Sequence, residues 1–166
     1  MSKKNRMKSV IAMVMAGFVL CLSSCQKEEK RIIGKWKPEK VEVTELVTTN
    51  PMQTAILKPI IQEYMSSTYI ELVREIEFTK DGKVFITASM GMGAGTYEVE
   101  NGKLIMSSGT KVERVDITFP DKKTMQLKED ADENALDALS WLFLEEQGIE
   151  GVEITKLSTR TTYKKK

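Results

Sequence analysis

The stretch GTYEVENGKLIM, residues 95–106, holds the reading of the whole chain. Tyr97 and Val99 alternate with polar residues before Asn101-Gly102, and Leu104 and Met106 alternate after it. Successive side chains of a strand point to opposite faces, and Asn-Gly supplies the two positive-φ positions of a tight hairpin turn. The same pattern recurs on both sides. Ile76 and Phe78 precede Lys80-Asp81-Gly82, with Val84 and Ile86 beyond it. Val115, Ile117 and Phe119 precede Pro120-Asp121-Lys122, with Met125 and Leu127 beyond. Ser108-Gly109 joins the second hairpin to the third. Six strands in sequential hairpins make a meander.

Upstream, Val41, Val43 and Leu46 sit at alternating or near-alternating positions and predict a further strand. Asn50-Pro51 offers a helix N-cap followed by proline at the first helical position. Ile56, Ile60, Ile61, Tyr64 and Met65 then recur at helical spacing through Ser67. Pro59 lies inside that run and predicts a kink or a split into two short helices. No stop signal marks the helix end between Met65 and Val73. Downstream, Asp130 to Gln147 carries Leu136, Leu139, Leu142 and Phe143, with Gly148 placed to end a second helix. The threonine-rich run from Val152 to Tyr163 predicts a long last strand.

The fold class is therefore mainly β, with eight strands, a helical insertion after strand 1 and a second helix before the last strand. A strongly twisted sheet of that size tends to curl and close, because closure removes exposed edges. The expected architecture is an up-and-down barrel. An eight-stranded barrel is either filled by side chains or holds one small ligand. Phe78, Val84, Ile86, Tyr97 and Leu104 are the candidate ligand-lining residues, and the same residues would fill a solid core.

The N-terminus carries an address. Residues 1–9 hold Lys3, Lys4, Arg6 and Lys8 and no acid, and residues 10–22, VIAMVMAGFVLCL, hold no charge. A basic start, a short apolar core and a small-residue exit make a secretory signal peptide. A spanning helix needs about 18 or more apolar residues, so this run is too short to cross a bilayer. Residues 1–24 are read as the leader, 25–31 as a tether and 32–166 as the barrel domain.

The leader's exit, Leu22-Ser23-Ser24-Cys25, resembles the bacterial lipobox. The resemblance implies diacylglycerol on the Cys25 sulfur, cleavage before it and acylation of the new amine. Each buried methylene contributes about 0.8 kcal/mol, so two or three chains anchor a protein that one would hold only marginally. Position 26 is glutamine and not the aspartate that marks inner-membrane retention. Gln26-Lys27-Glu28-Glu29 is similar to the charged export signal of surface lipoproteins in Bacteroidota, which implies an outer-membrane protein displayed on the cell surface. A plain solvated tether would have the same composition.

Composition removes several functions. The leader takes four of the 25 basic residues and none of the 24 acids, so residues 25–166 carry three more acids than bases. That balance argues against nucleic acid as a partner. Histidine is absent and the two cysteines are Cys21, in the leader, and Cys25. A histidine-based triad, histidine-ligated zinc, thiolate clusters and disulfides are therefore excluded. No cofactor or metal is expected.

Four segments, IIGKW at 32–36, IEFTKDGKV at 76–84, residues 95–106 and ITKLSTRTTYKK at 154–165, together resemble the lipocalin-like domains of small Bacteroidota lipoproteins. Gly34 and Trp36 match the G-x-W that opens the first lipocalin strand. The resemblance implies that Trp36 closes one end of the barrel and that an arginine of the last strand, here Arg160, packs across it. A guanidinium over an indole contributes roughly 0.5–2 kcal/mol. Lipocalins proper carry no helix between their first two strands, whereas fatty-acid-binding proteins do, as a lid. The insertion at 51–72 resembles that lid, the helix at 130–147 has no counterpart there, and the second lipocalin signature is missing.

Other groupings have plain explanations. The glycine-rich loop Ser89–Gly95 is followed by a strand and not by the helix a phosphate cradle requires, so it reads as a hairpin or sheet bend. Met90 and Met92 are the alternative there, an adaptable rim at a barrel mouth. Asp130, Asp132 and Asn134 start like a calcium loop, but Ala135 and Trp141 occupy its essential glycine and glutamate positions. Glu71, Glu75 and Glu77 read as surface carboxylates, and Lys164–Lys166 as a solvated tail. Trp141-Leu142-Phe143-Leu144 is wider than one buried stripe; packing against the barrel accounts for part of the set, and the alternative is a lid over an open barrel mouth or a contact for a partner protein. The expected function is non-catalytic binding of a small apolar or amphipathic ligand by a lipid-anchored outer-membrane protein. The alternative is a filled barrel acting as accessory subunit or inhibitor of another envelope protein.

Overall fold

A computed structural model describes residues 29–145 and 148–166. The leader, Cys25 and the first residues of the tether lie outside them. The chain forms β1 (Gly34–Thr48), helix α1 (Pro51–Leu72), β2 (Val73–Phe78), β3 (Lys83–Ala88), β4 (Gly91–Glu100), β5 (Lys103–Ser108), β6 (Lys111–Asp121) and β7 (Thr124–Asp130). Helix α2 (Glu133–Ser140), a π-helical turn (Trp141–Glu145) and β8 (Ile154–Lys165) follow. All neighbouring strands are antiparallel, and β8 returns to β1, so the sheet closes as an eight-stranded up-and-down barrel. No described helix is long and apolar enough to cross a membrane.

The turns follow the residues that dictate them. Asn101 and Gly102 take φ of 51° and 73°, the two left-handed positions of a two-residue hairpin. Pro120 does not turn the chain as the sequence suggests. It sits inside β6 at an irregular pairing between Thr118 and Asp121, where a residue without N–H costs no ladder bond. The turn falls at Lys122-Lys123 instead, with Asp121 accepting from the Lys123 amide.

Asn50 caps α1 by accepting from the Met52 amide, and Pro51 takes the first helical position. The expected break at Pro59 does not occur, and α1 runs unbroken for 22 residues. Pro59 and Ala55 are both exposed, so water can satisfy the carbonyl that proline leaves unpaired. In α2, Asp132 and not Asp130 begins the helix, its side chain accepting from the Ala135 amide. The last turn widens to π geometry, and the Ile149 amide bonds the Leu144 carbonyl across the end. Leu144 is thereby buried while Trp141 stays 57% exposed.

Two apolar cores result. The larger fills the barrel end at which β1 begins, with Ile32, Trp36, Phe78, Leu104, Met125 and Tyr163 almost wholly buried. The smaller joins Leu57 and Ile61 of α1 to Leu144, Val43, Ile154 and Leu157 where β1 and β8 run on together. One face of α1, Leu57, Ile61, Met65 and Tyr69, recurs every four residues and carries the helix from the second core to the first.

Candidate functional site

Trp36 closes one end of the barrel. Its indole N–H donates to the Ile32 carbonyl at 2.6 Å, so the helical turn at 29–32 is held as a plug beneath it. Arg31 donates to the carbonyls of Phe119 and Asp121 at 3.1 and 2.7 Å, and its guanidinium lies 4.7 Å from the Phe119 ring centre. The segment read as tether is thus part of the barrel from Glu29 onward. Gly34, at φ 128°, brings the chain into β1 where a side chain would meet Lys165.

The expected cation across the indole is the wrong residue. Lys165 lies 5.1 Å from the Trp36 ring centre, and its ammonium also donates to the Arg31 carbonyl. Arg160 pairs in register with Glu42 and Lys128, in phase with outward Thr162 and Lys164, and lines a shallow outer concavity with Asp116 and Gln126. Trp36 pairs with Lys165 because the β1–β8 register puts the end of β8, and not its middle, at the closed end. The lysines at 164–166 are accordingly no loose tail. Lys166 pairs with Glu75 at 2.5 Å, and Glu75 also pairs with Lys35 at 3.1 Å.

The opposite end is open. A cavity of about 170 Å³ lies between β3, β4, β5 and β6, lined by Val84, Ile86, Gly93, Gly95, Met106 and Glu113. Of the five candidate lining residues, Val84 and Ile86 face it. Phe78 and Leu104 are packed in the closed half, and Tyr97 turns its hydroxyl to the Thr79 carbonyl at 2.8 Å, stacking edge-on against Phe78. They are filled core. The glycine-rich stretch supplies the room: β4 presents Gly93 and Gly95 where other strands present bulky residues, and a Cβ on Gly93 would meet nothing within 4 Å. A Cβ on Gly95 would run into the Ser107 carbonyl, so that glycine is needed for strand packing itself. Met90 and Met92 stand exposed beside this end.

A second hollow, about 470 Å³, adjoins across β6 and reaches to β7, β8 and both helices, with Met65, Glu129, Asp132, Leu139 and Thr159 on its walls. Lys111 and Glu113 border both spaces and pair with each other at 2.7 Å. Glu129 is held above the ordinary carboxylate range, first by partial burial and then by repulsion from Glu113, with Lys111 opposing. It remains open to solvent through the mouth. Between this polar rim and the filled half, Tyr69 of α1 meets Tyr163 of β8, hydroxyl to hydroxyl at 2.5 Å. Burial raises both phenols.

The open end therefore combines an apolar pocket with a carboxylate-rich rim. It can hold a small molecule with one apolar end and one polar end. Among the described residues no three acids or sulfur ligands gather as a metal site. Lys111, Glu113, Glu129, Tyr69 and Tyr163 were not singled out by the sequence reading. Alternation contains the signal, because Glu113 stands in phase with Val115 and Ile117, and Glu129 with Met125 and Leu127. A charge in the inward phase of a barrel strand marks the wet part of the interior. No family model matches the chain, and no curated protein matches it in sequence.

Proposed function

We propose that the protein is a lipid-anchored outer-membrane protein, displayed on the cell surface, whose lipocalin-like barrel binds a small amphipathic ligand without chemistry. The observation that carries this reading is the division of the barrel interior. One half is packed solid, and the other keeps an apolar pocket edged by Lys111, Glu113 and Glu129. The ligand's apolar part lies against Val84, Ile86 and Met106, and its polar part meets the rim. The lipobox resemblance at Leu22–Cys25 supplies the anchor, with the membrane as the protein's first partner. Native mass spectrometry of the protein purified from its own host tests the reading, together with Gly93→Leu. An adduct on the wild type that Gly93→Leu loses, at unchanged melting temperature, supports it. A clean unliganded mass, with nothing recovered by organic extraction, overturns it.

A second reading has its own observation. Met52, Ile56, Ile60 and Tyr64 recur every four residues on the outer face of α1 and are 39–73% exposed. Phe143 stacks edge-on against Tyr64, and Trp141 lies exposed on the same π-helical turn as Phe143. An apolar stripe of this kind suits a partner protein's surface, and the chain would then act as an accessory subunit or inhibitor of another envelope protein. Crosslinking from position 60 or 141 on intact cells, trapping one defined partner, favours this reading. Loss of the trapped band on Ile60→Lys would confirm the stripe as the contact.

A further inference from the structure

Charge is sorted along the barrel axis. The segments at the closed end are residues 29–35, 79–83, 100–103, 121–123 and 164–166, and they hold eleven basic side chains against four acidic ones. The segments at the open end are residues 49–72, 109–111, 129–145 and 148–153, and they hold ten acids against two bases. The near-neutral total hides this separation. Several closed-end cations are matched: Lys35 and Lys166 by Glu75, and Lys83 by Asp81. Lys30, Lys80, Lys122, Lys123 and Lys164 are exposed and form no ion pair with another described residue.

The chain also enters at this end. Ile32 and Arg31 fix the turn at 29–32 beneath Trp36, so Glu29 leaves the barrel from the basic face. Cys25 is four residues earlier, and four residues span at most about 14 Å of extended chain. That length cannot carry an anchored Cys25 round to the open end. We infer that the closed, basic end of the barrel sits against anionic phospholipid headgroups, with the ligand pocket and the apolar stripe of α1 turned away from the bilayer. Lysines near an anionic surface are drawn to it within about one Debye length, roughly 8–10 Å at ordinary salt. This orientation rests on the anchored reading for its tether, while the basic face stands on charge alone.

The test uses the full-length protein, processed by its host and reconstituted on vesicles of phosphatidylcholine with or without phosphatidylglycerol. A fluorophore is placed at Lys80→Cys, at the closed end, or at Thr110→Cys, at the open end, and is quenched by headgroup-labelled lipid. Expected is quenching several-fold stronger at position 80 on anionic vesicles, falling toward the neutral-vesicle value in high salt or in Lys122→Glu/Lys123→Glu. Equal quenching at the two positions, or a preference unmoved by lipid charge, overturns the proposal. Flotation separates the two ideas. An anchored protein floats on neutral vesicles, and failure there sinks the anchor alone if salt-sensitive flotation on anionic vesicles persists. Flotation on neither sinks both.

Discussion

The hydroxyl of Tyr69 lies 2.5 Å from that of Tyr163, so the helix after the first strand is bonded to the last strand inside the barrel. Removing one partner leaves the other hydroxyl without its bond in a largely dry place. Tyr163→Phe is expected to lower stability by about 1–3 kcal/mol in urea denaturation. Adding Tyr69→Phe to it should cost little more, because the orphaned group goes too. An additive double mutant would show that the two hydroxyls do not depend on each other.

The same pair sets an alkaline limit. Burial raises both phenols above their ordinary value of 10.0, so an unfolded chain gives up these protons before the folded one does. Their contribution is fully present below pH 10 and is lost as pH rises past it toward the folded values. Melting temperature followed upward from pH 9 should fall in the wild type and fall less in the doubly phenylalanine variant.

Trp36 and its cation can be separated from Arg160. Trp36→Ala removes the largest side chain of the closed end and is expected to cost about 3–5 kcal/mol. Lys165→Met loses the stacked ammonium and should cost about 1 kcal/mol. Arg160→Ala lies on the outer face and should stay within about 0.5 kcal/mol of wild type. Chemical denaturation of the three decides it, and a cost at Arg160 exceeding that at Lys165 would restore the lipocalin-type pairing.

Two glycines in one strand should behave oppositely. Gly95→Val drives a side chain toward the Ser107 carbonyl and is expected to cost about 1–3 kcal/mol. Gly93→Leu enters open space and should leave the melting temperature near wild type while filling the pocket. Thermal melts of both, beside binding of a fluorescent amphiphile, distinguish packing from vacancy.

Glu129 should report on the rim. Its carboxyl is raised, so below the unfolded value of 4.5 it costs the fold nothing, and the cost grows as pH rises through the folded value. Glu129→Gln is therefore expected to melt higher than wild type at pH 7 and at the same temperature below about pH 4. An unchanged gap across that range would place the carboxylate in plain solvent.

Much of the barrel is legible in the sequence because closure imposes alternation. Phe78, Val84, Val99, Leu104, Ile117 and Met125 all stand where a period of two puts them, and each is buried. What escaped notice depended on three dimensions. Whether Pro59 breaks a helix turns on solvent reaching the Ala55 carbonyl. Which cation covers Trp36 turns on the register of β8 against β1. Two walls of the pocket, Val84 and Ile86, stand among the expected lining residues, but its room is made by glycines, whose missing side chains leave no hydrophobic signal. Its polar rim was written in the sequence as two glutamates in the inward phase, in strands otherwise read for their apolar residues.

The seam of the barrel has a consequence for timing. β1 pairs with β2 over three residues, from Gly34 to Trp36, but with β8 along nearly its whole length. Its true neighbour is thus the strand farthest from it in sequence, and contacts of such separation form late because the intervening loop must first be closed. Until Ile154–Lys165 is in place, the first strand has α1 beside it, bonded through Gln62 and Ser66 to Val41 and Val43, but only three residues of strand pairing. The plug beneath Trp36 then lacks the lysine that bonds it. Closure of the barrel is therefore expected late in folding, when Ile154–Lys165 pairs along β1.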